Sequence, residues 1–290
     1  MGRPLAYAAI FLFWGASFLA IREIVQIAPP FLSAGFRFTV AGLILIAAAI
    51  AQRAPGPSWQ ELRSVAWLGL IFFAIDYSCV FWAEQRVASG FAAIVSATIP
   101  VWVFAGEWLW LKSIKPAPSS FAGLLFGITG VVLLVLPSTG PGGRAGEFVL
   151  FIGALAWTLG TLLSRKLTVP KSRFLSAGLQ MFIGGALLFL MALAAGEFDR
   201  LPEVARVWTW RLSLDMAYLV VAASILAFLA YTWLISREPA SRVSSYAYVN
   251  PLIAVTLGAV VAGERLAVEQ FVGGALVLVG VVFTLRARNT

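Results

Sequence analysis

Three ionisable side chains lie within long apolar stretches of the sequence: Arg37, Asp76 and Glu107. An ionised side chain at the centre of a membrane helix costs roughly 2.5–3.5 kcal/mol on insertion scales, so such residues usually form pairs or functional sites. Arg37 lies near the start of one apolar stretch and Asp76 near the end of the next, which places both at similar depth below one membrane face. We therefore predict a close Arg37–Asp76 pair, which either fixes helix packing or forms a gate or a charged site for a zwitterionic ligand.

Glu107 lies near the end of a later apolar stretch, about one helical turn from Lys112. Its side chain either extends toward the polar interface beside Lys112 or stays within the membrane and carries a coupling proton. The sequence leaves both interpretations open.

Two prolines, Pro100 and Pro251, interrupt other apolar stretches. A proline removes one backbone hydrogen bond and frees the carbonyl one turn earlier, here at Ser96 and Ala247. Inside lipid, a freed carbonyl must bind protein, water or a ligand. These helix breaks are therefore either polar contact points or hinges.

Polar side chains cluster around Pro251, and they include Ser244, Tyr248 and Asn250. A helix that faced lipid would not carry so many polar groups. The stretch is therefore predicted to face a cavity or a neighbouring helix.

Aromatic side chains recur at matching places along the chain. Apolar aromatic walls with a few polar groups are typical of small-molecule sites, where rings stack on a ligand ring or accept a cation over one face. Core packing and interfacial belts are the alternative roles. The candidate binding residues are Trp14, Ser17, Tyr77, Phe81, Ser96, Trp102, Trp157, Thr161, Tyr231, Ser244, Tyr248 and Asn250.

The composition indicates which elements position these residues. Of the 290 residues, 61% are hydrophobic and 12% are charged, and the mean hydropathy is +0.92. Soluble domains carry about 25% charged residues, and a soluble fold of this size could not hide so much apolar surface. The chain is therefore predicted to be an integral membrane protein with little mass outside the lipid.

Apolar runs of spanning length recur ten times, with short polar breaks between them. If ten spans alternate in direction, 13 basic residues fall on one side and seven on the other. The positive-inside rule then places both termini in the cytoplasm, as in a multi-pass protein of the inner (plasma) membrane. The predicted spans are about 5–21, 31–51, 64–82, 90–111, 119–137, 147–163, 174–195, 213–235, 243–262 and 267–285.

A weak internal repeat supports ten spans that are divided into two halves of five. A shift of 151 residues aligns Trp82 with Trp233, Arg86 with Arg237 and Pro100 with Pro251. An odd number of spans in each half makes the halves inverted, and inverted repeats place a pathway at their interface. We predict an all-α integral membrane fold of ten transmembrane helices, formed by two inverted five-helix repeats (1–140 and 141–290) around a central cavity.

Several classes of chemistry are excluded by composition. The chain has no histidine and one cysteine, Cys79, so a histidine base, a histidine or cysteine metal site and an internal disulfide are all impossible. No Gly-Lys pair occurs, so a Walker A loop cannot form. The net charge of +8 is attributed to loop arginines and not to nucleic-acid binding. We predict no cofactor, no metal and no enzymatic activity.

A set of short motifs occurs in order along the chain: Phe13-Trp14-Gly15-Ala16-Ser17-Phe18, Phe36-Arg37-Phe38, Ala97-Thr98-Ile99-Pro100, Asn250-Pro251 and Gly263-Glu264-Arg265-Leu266 with Gly273-Gly274. Together these motifs resemble the drug/metabolite transporter superfamily, and its EamA-type members in particular. The resemblance spans nearly the whole chain and implies a ten-helix basket that exports or exchanges small metabolites. The aromatic candidates look like the aromatic amino-acid exporter (YddG-like) branch.

One position departs from that family pattern. Glu264 lies 13 residues after Pro251, whereas the residue 13 after Pro100 is Ser113, so Glu107 does not inherit the role of the family glutamate. The expected activity is secondary transport of small amphipathic metabolites, with aromatic or other neutral amino acids favoured. The alternatives are an integral-membrane enzyme and a channel-like protein. The expected partners are a small-molecule substrate and membrane lipid, and the protein is either a monomer or a homodimer.

Overall fold

A computed structural model describes residues 2–86, 92, 95–135, 144–262 and 268–286. Regular structure in these ranges is helical throughout, which confirms the all-α prediction, and each predicted span overlaps at least one helical segment. The helices are α1 (Arg3–Val25), α2 (Pro30–Ala51), α3 (Trp59–Glu84), α4 (Ile99–Ala105, continued by the π-helical turn Gly106–Trp110), α5 (Pro118–Val135), α6 (Arg144–Leu163), α7 (Arg173–Ala194), α8 (Trp210–Ile235), α9 (Tyr246–Ala262, preceded by the short helix Ala240–Val243) and α10 (Val268–Arg286).

Five of these helices, α1, α2, α3, α7 and α8, are long and apolar enough to cross a membrane by length and composition. Their outward faces are apolar as well, with exposed side chains such as Leu43, Ile50 and Leu190. Water would not tolerate so much continuous apolar surface, whereas lipid matches it. These helices therefore identify a membrane protein, while the full count of ten crossings stays a prediction.

Helix boundaries follow local capping chemistry. Ser58 accepts the Glu61 backbone N–H, and the Glu61 carboxylate accepts the Ser58 backbone N–H, so α3 begins with a capping box. Ser172 caps α7 in the same way through the Leu175 N–H. After α7 the chain turns at Gly196, whose φ of +68° is a conformation that favours glycine.

Glycines bring two helix pairs into close contact, α2 with α7 and α5 with α10. A Cβ on Gly42 would lie 2.6 Å from the Phe182 backbone nitrogen, and one on Gly280 would lie 2.5 Å from the Gly127 nitrogen. Small residues of this kind let membrane helices approach and gain van der Waals contact. Both pairs join one helix from the first half of the chain to one from the second.

We expect Gly42→Ala to push α2 away from α7, because its methyl group would meet backbone atoms that cannot rotate aside. The free energy of unfolding should fall by about 1–3 kcal/mol, measured by denaturation in mixed micelles. The matched control is Gly56→Ala, since a Cβ on Gly56 meets nothing within 4 Å. Equal stability of the two variants would contradict this account of the α2–α7 interface.

The contacts between the two halves of the chain are reciprocal. Helix α1 packs against α8 and α9, and α6 packs against α3 and α4 in the corresponding way. Helices α3 and α8 both contain a π-helical segment, Leu70–Asp76 and Leu219–Leu226. Such segments widen the helix and are frequent at functional sites.

The ends of α3 and α8 also carry the same local arrangement. The Arg86 guanidinium lies 3.8 Å from the Trp82 ring centroid, and the Arg237 guanidinium lies 4.4 Å from that of Trp233. Each arginine Nη1 also donates to the carbonyl of its tryptophan, at 2.9 Å and 3.2 Å. Two pairs that the 151-residue shift aligned therefore have matching geometry.

Candidate functional site

A cavity of about 470 Å³, which we call the vestibule, opens beside the loop between α6 and α7. Its volume falls within the usual range of small-molecule pockets. Phe72, Phe228 and Tyr231 form part of its inner end, and three basic side chains, Arg165, Lys171 and Arg173, line it nearer the loop. The remaining lining residues are Leu68, Ser164, Val169, Pro170, Ser176, Gln180, Thr232, Ile235 and Ser236.

A second, smaller space of about 60 Å³, the inner cavity, lies between α1, α3, α4, α6 and α9. Six of the predicted binding residues line it, together with Asp76 and several residues that the sequence did not single out. The predicted six are Trp14, Ser17, Tyr77, Ser96, Trp157 and Asn250, and the others include Phe18, Ile21, Val80, Ile99, Leu150, Ala154 and Tyr246.

Four aromatic side chains separate the two cavities, and we call them the aromatic septum: Trp14, Phe72, Trp157 and Tyr231. Trp14 and Trp157 line the inner cavity, whereas Phe72 and Tyr231 line the vestibule. The ring centroids of Trp14 and Trp157 lie 5.3 Å apart, and those of Phe72 and Trp157 lie 4.8 Å apart. Both pairs meet edge to face, a favourable geometry for aromatic rings. Each half of the chain contributes two of the four rings.

Hydrogen bonds hold two septum residues in place. Trp14 Nε1 donates to the Ala223 carbonyl at 2.8 Å, and Ala223 lies in the π-helical segment of α8. The Tyr231 hydroxyl lies 2.6 Å from Thr161 Oγ1, which ties α8 to α6. Thr161 therefore supports the septum, although it lines neither cavity.

The π-helical segment of α3 presents Phe72 to the vestibule and Asp76 to the inner cavity. Two glycines of α6 make room for these residues. A Cβ on Gly160 would lie 2.8 Å from the Phe72 ring, and one on Gly153 would lie 3.0 Å from Asp76 Oδ1. The widened turn of α3 and the small residues of α6 therefore shape the site together.

Asn250 and Tyr246 bring α9 to the inner cavity. These residues lie four apart, so they share one helix face just before Pro251. Asn250 is 2% exposed, and its Oδ1 has no hydrogen-bond partner in the part of the chain that the structure describes. Two residues of the polar stretch around Pro251, Tyr246 and Asn250, thus face the inner cavity.

Comparison with known proteins places the chain in a family. A model of the EamA-like transporter family matches residues 4–136 and residues 144–286. The chain belongs to the EamA-like transporter family. The inner membrane transporter YedA of Escherichia coli K12, itself uncharacterised, is 31% identical over 283 residues, which cover 97% of this chain and 90% of YedA.

Other relatives agree with that assignment. PagO of Salmonella typhimurium is 27% identical over 288 residues, covering 98% of this chain and 92% of PagO. One solved crystal structure shares the fold, with a TM-score of 0.77 at 21% identity over 97% of this chain and 96% of its own. This EamA-like protein is therefore a membrane transporter, which confirms the family that the motifs predicted.

The predicted Arg37–Asp76 pair of this transporter is wrong. Arg37 is fully buried, its Nε donates to Ser224 Oγ at 2.8 Å, and its guanidinium lies 4.9 Å from the Tyr77 ring centroid. Asp76 instead faces the inner cavity. Similar depth in the membrane did not produce a contact, because the rotation of each helix about its own axis also decides which side chains meet.

Glu107 does not extend toward the interface beside Lys112, while its proton-coupling role stays a prediction. The fully buried carboxylate accepts the backbone N–H groups of Ala240 and Ser241, both at 2.8 Å, and the Ser241 hydroxyl at 2.7 Å. Arg165 Nε lies 3.7 Å away. Glu107 therefore fastens α4 to the start of the short helix before α9.

Other predicted binding residues lie away from both cavities. Trp102 is 40% exposed and packs on Phe151. The buried Tyr248 ring faces Gly127 of α5, and the buried Ser244 hydroxyl donates to the Ala240 carbonyl. Phe81 is buried in the core. These residues lie outside both cavities, and their role as binding residues stays a prediction.

A helix break occurs just before Pro100, whereas the helix continues through Pro251. The chain turns at residues 97–98 and again at residues 244–245, and Pro100 then lies in the first turn of α4. Pro251 lies inside α9. Ser96, one turn before Pro100, does line the inner cavity. Glu264, the family glutamate, falls outside the described residues.

Sequence reasoning missed Phe72, Tyr246 and Glu84. Tyr246 lies four residues before Asn250, and this spacing could have identified it as a residue on the same helix face. Phe72 lies in a run of apolar residues, and nothing in the sequence distinguishes it from its neighbours. Glu84 lies beyond the predicted span 64–82, yet it is fully buried at the end of α3, and among the described residues neither of its carboxylate oxygens has a hydrogen-bond partner.

Proposed function

We propose that this protein is a secondary transporter that exports or exchanges small amphipathic metabolites, with aromatic and other neutral amino acids as its preferred substrates. The observation that carries the proposal is the aromatic septum between the vestibule and the inner cavity. A carrier needs a central site that is closed toward one compartment at a time. A septum of four rings held by two sets of helices can open toward either cavity when those helices shift.

Two inverted five-helix halves, 1–140 and 141–290, account best for the packing. The family model matches two separate stretches of similar length, and the contacts between the halves are reciprocal. If α1–α5 all cross the membrane, their odd number inverts the second half. Rocking of one half against the other would then exchange the open and closed sides.

The distribution of charge supports an orientation with both termini in the cytoplasm. The vestibule adjoins the basic loop between α6 and α7, so in this arrangement it opens to the cytoplasm. The inner cavity then lies on the opposite side of the septum. The described conformation is therefore the one that would receive a substrate for export.

The lining of the cavities supports a zwitterionic substrate. Among the described residues, the vestibule is lined by Arg165, Lys171 and Arg173 and by no carboxylate, whereas the inner cavity is lined by Asp76 and by no basic side chain. Between them lie rings that can stack on an aromatic side chain. The carboxylate of an amino acid would face the basic vestibule, and its ammonium group would face Asp76 in the inner cavity.

Counterflow in proteoliposomes tests the proposal. Vesicles loaded with unlabelled phenylalanine should accumulate external labelled phenylalanine transiently above its equilibrium level, and tyrosine, tryptophan and leucine should compete. Vesicles without protein are the control. A channel would only equilibrate the label, and an enzyme would form a product. Absence of competition by any amino acid would remove the substrate assignment.

A further inference from the structure

The inner cavity holds two hydrogen-bond acceptors that lack donors. Asp76 reaches the cavity from α3, and within the described residues no hydrogen bond or ion pair engages its carboxylate. Asn250 reaches it from α9, and its buried Oδ1 is also without a partner. Buried acceptors are normally paired, because leaving them unpaired costs free energy. Within the described residues neither acceptor has a donor, so a donor that enters the cavity would satisfy both.

No lysine or arginine is among the described residues that line the inner cavity. The buried Arg37 donates to Ser224 through Nε and contacts the face of the Tyr77 ring, but it does not itself line the cavity. A carboxylate inside the membrane is normally neutralised by a partner, and in the described part of the chain a cation from solution can fill that role.

The cavity walls favour an organic cation over a metal ion. The rings of Trp14, Tyr77, Trp157 and Tyr246 line the space, and aromatic faces attract ammonium groups. No cluster of three or more metal-binding side chains occurs in the part of the chain that the structure describes. At about 60 Å³ the cavity admits a head group but not a whole amino acid.

We infer that the inner cavity is the ammonium subsite of this transporter. The Asp76 carboxylate and Asn250 Oδ1 accept N–H groups of a protonated amine, while the rings of Trp14 and Trp157 contact the carbon atoms next to it. The inference rests on the proposed function and deepens it, because it makes the amine the required group. Substrates must carry a protonated amine, and carboxylates that lack one are rejected.

Binding to the purified full-length protein tests this requirement with three related ligands. Phenylalanine carries both charged groups, phenethylamine lacks the carboxylate, and 3-phenylpropionate lacks the amine. We expect phenylalanine and phenethylamine to raise the thermal unfolding temperature in detergent and to alter tryptophan emission, with 3-phenylpropionate and sodium chloride giving neither effect. Binding of 3-phenylpropionate as strong as that of phenethylamine would overturn the inference.

Two variants test whether the amine binds at Asp76 and Asn250. Asp76→Asn keeps the side-chain shape and removes an unpaired charge, so the protein should still fold, and affinity for phenethylamine should fall roughly 10- to 100-fold. Asn250→Ala should weaken the same ligand through the second acceptor. The matched control is Glu84→Gln on the same helix, since Glu84 is also buried and unpartnered but does not line the inner cavity.

The outcomes separate this inference from the proposed function. Unchanged amine binding by Asp76→Asn, or stabilisation by sodium ions that this substitution abolishes, would refute the ammonium subsite. Saturable exchange of carboxylates without amines would refute it too, while leaving the carrier assignment in place. If amines bind at Asp76 but no compound undergoes saturable exchange, the subsite stands and the proposed function fails.

Discussion

Glu107→Ala should lower the free energy of unfolding by about 3–5 kcal/mol, the usual effect of removing one partner from a buried charged network. The substitution leaves the N–H groups of Ala240 and Ser241 and the Ser241 hydroxyl without their acceptor. It also removes the carboxylate that lies 3.7 Å from Arg165. Denaturation in mixed micelles, followed by circular dichroism, measures the change.

Two further variants show whether the loss comes from this network. Glu107→Gln keeps one carbonyl acceptor but turns an amide group toward backbone donors, so its stability should lie between those of Glu107→Ala and the unmodified protein. Glu61→Gln changes an exposed carboxylate at the start of α3 that also accepts one backbone N–H, and it should be nearly neutral. Normal stability of Glu107→Gln with altered proton dependence of transport would instead favour the proton-coupling role.

Trp14→Ala should have the second large effect, on stability and on exchange together. It removes the ring that contacts Trp157, Tyr231 and Tyr246, with centroids 5.3, 5.3 and 4.7 Å away. Truncating a buried tryptophan costs about 3–5 kcal/mol. Because the vestibule and the inner cavity would then join, we expect phenylalanine counterflow to fall to the level of protein-free vesicles.

The contribution of the Trp14 hydrogen bond can be separated from that of its ring. Trp14→Phe keeps an aromatic ring but leaves the Ala223 carbonyl without its donor, which should cost about 1–3 kcal/mol. Trp102→Ala is the matched control, since Trp102 lies exposed outside both cavities, and it should leave counterflow unchanged. Loss of counterflow in Trp102→Ala with retention in Trp14→Ala would place the site elsewhere.

The sequence alone determined the class of protein, the helices and the family. Apolar length and the scarcity of charge require helices in lipid, since the backbone must satisfy its own hydrogen bonds there. Pro100 marked the break before α4, and the spacing of Trp82 with Arg86 and of Trp233 with Arg237 anticipated two matching helix ends. These features are local, so periodicity and residue type are enough to find them.

Only the tertiary structure decided which of the candidate side chains meet. Arg37 and Asp76 were expected at similar depth, yet Arg37 bonds to Ser224 while Asp76 faces the inner cavity, and Trp102 lies outside the cavity that Trp157 lines. An apolar helix of a membrane protein is hydrophobic on every side, so its sequence carries little information about its rotation. That rotation is set by close glycine contacts and by the widened turns of α3 and α8, which appear only when the helices are packed together.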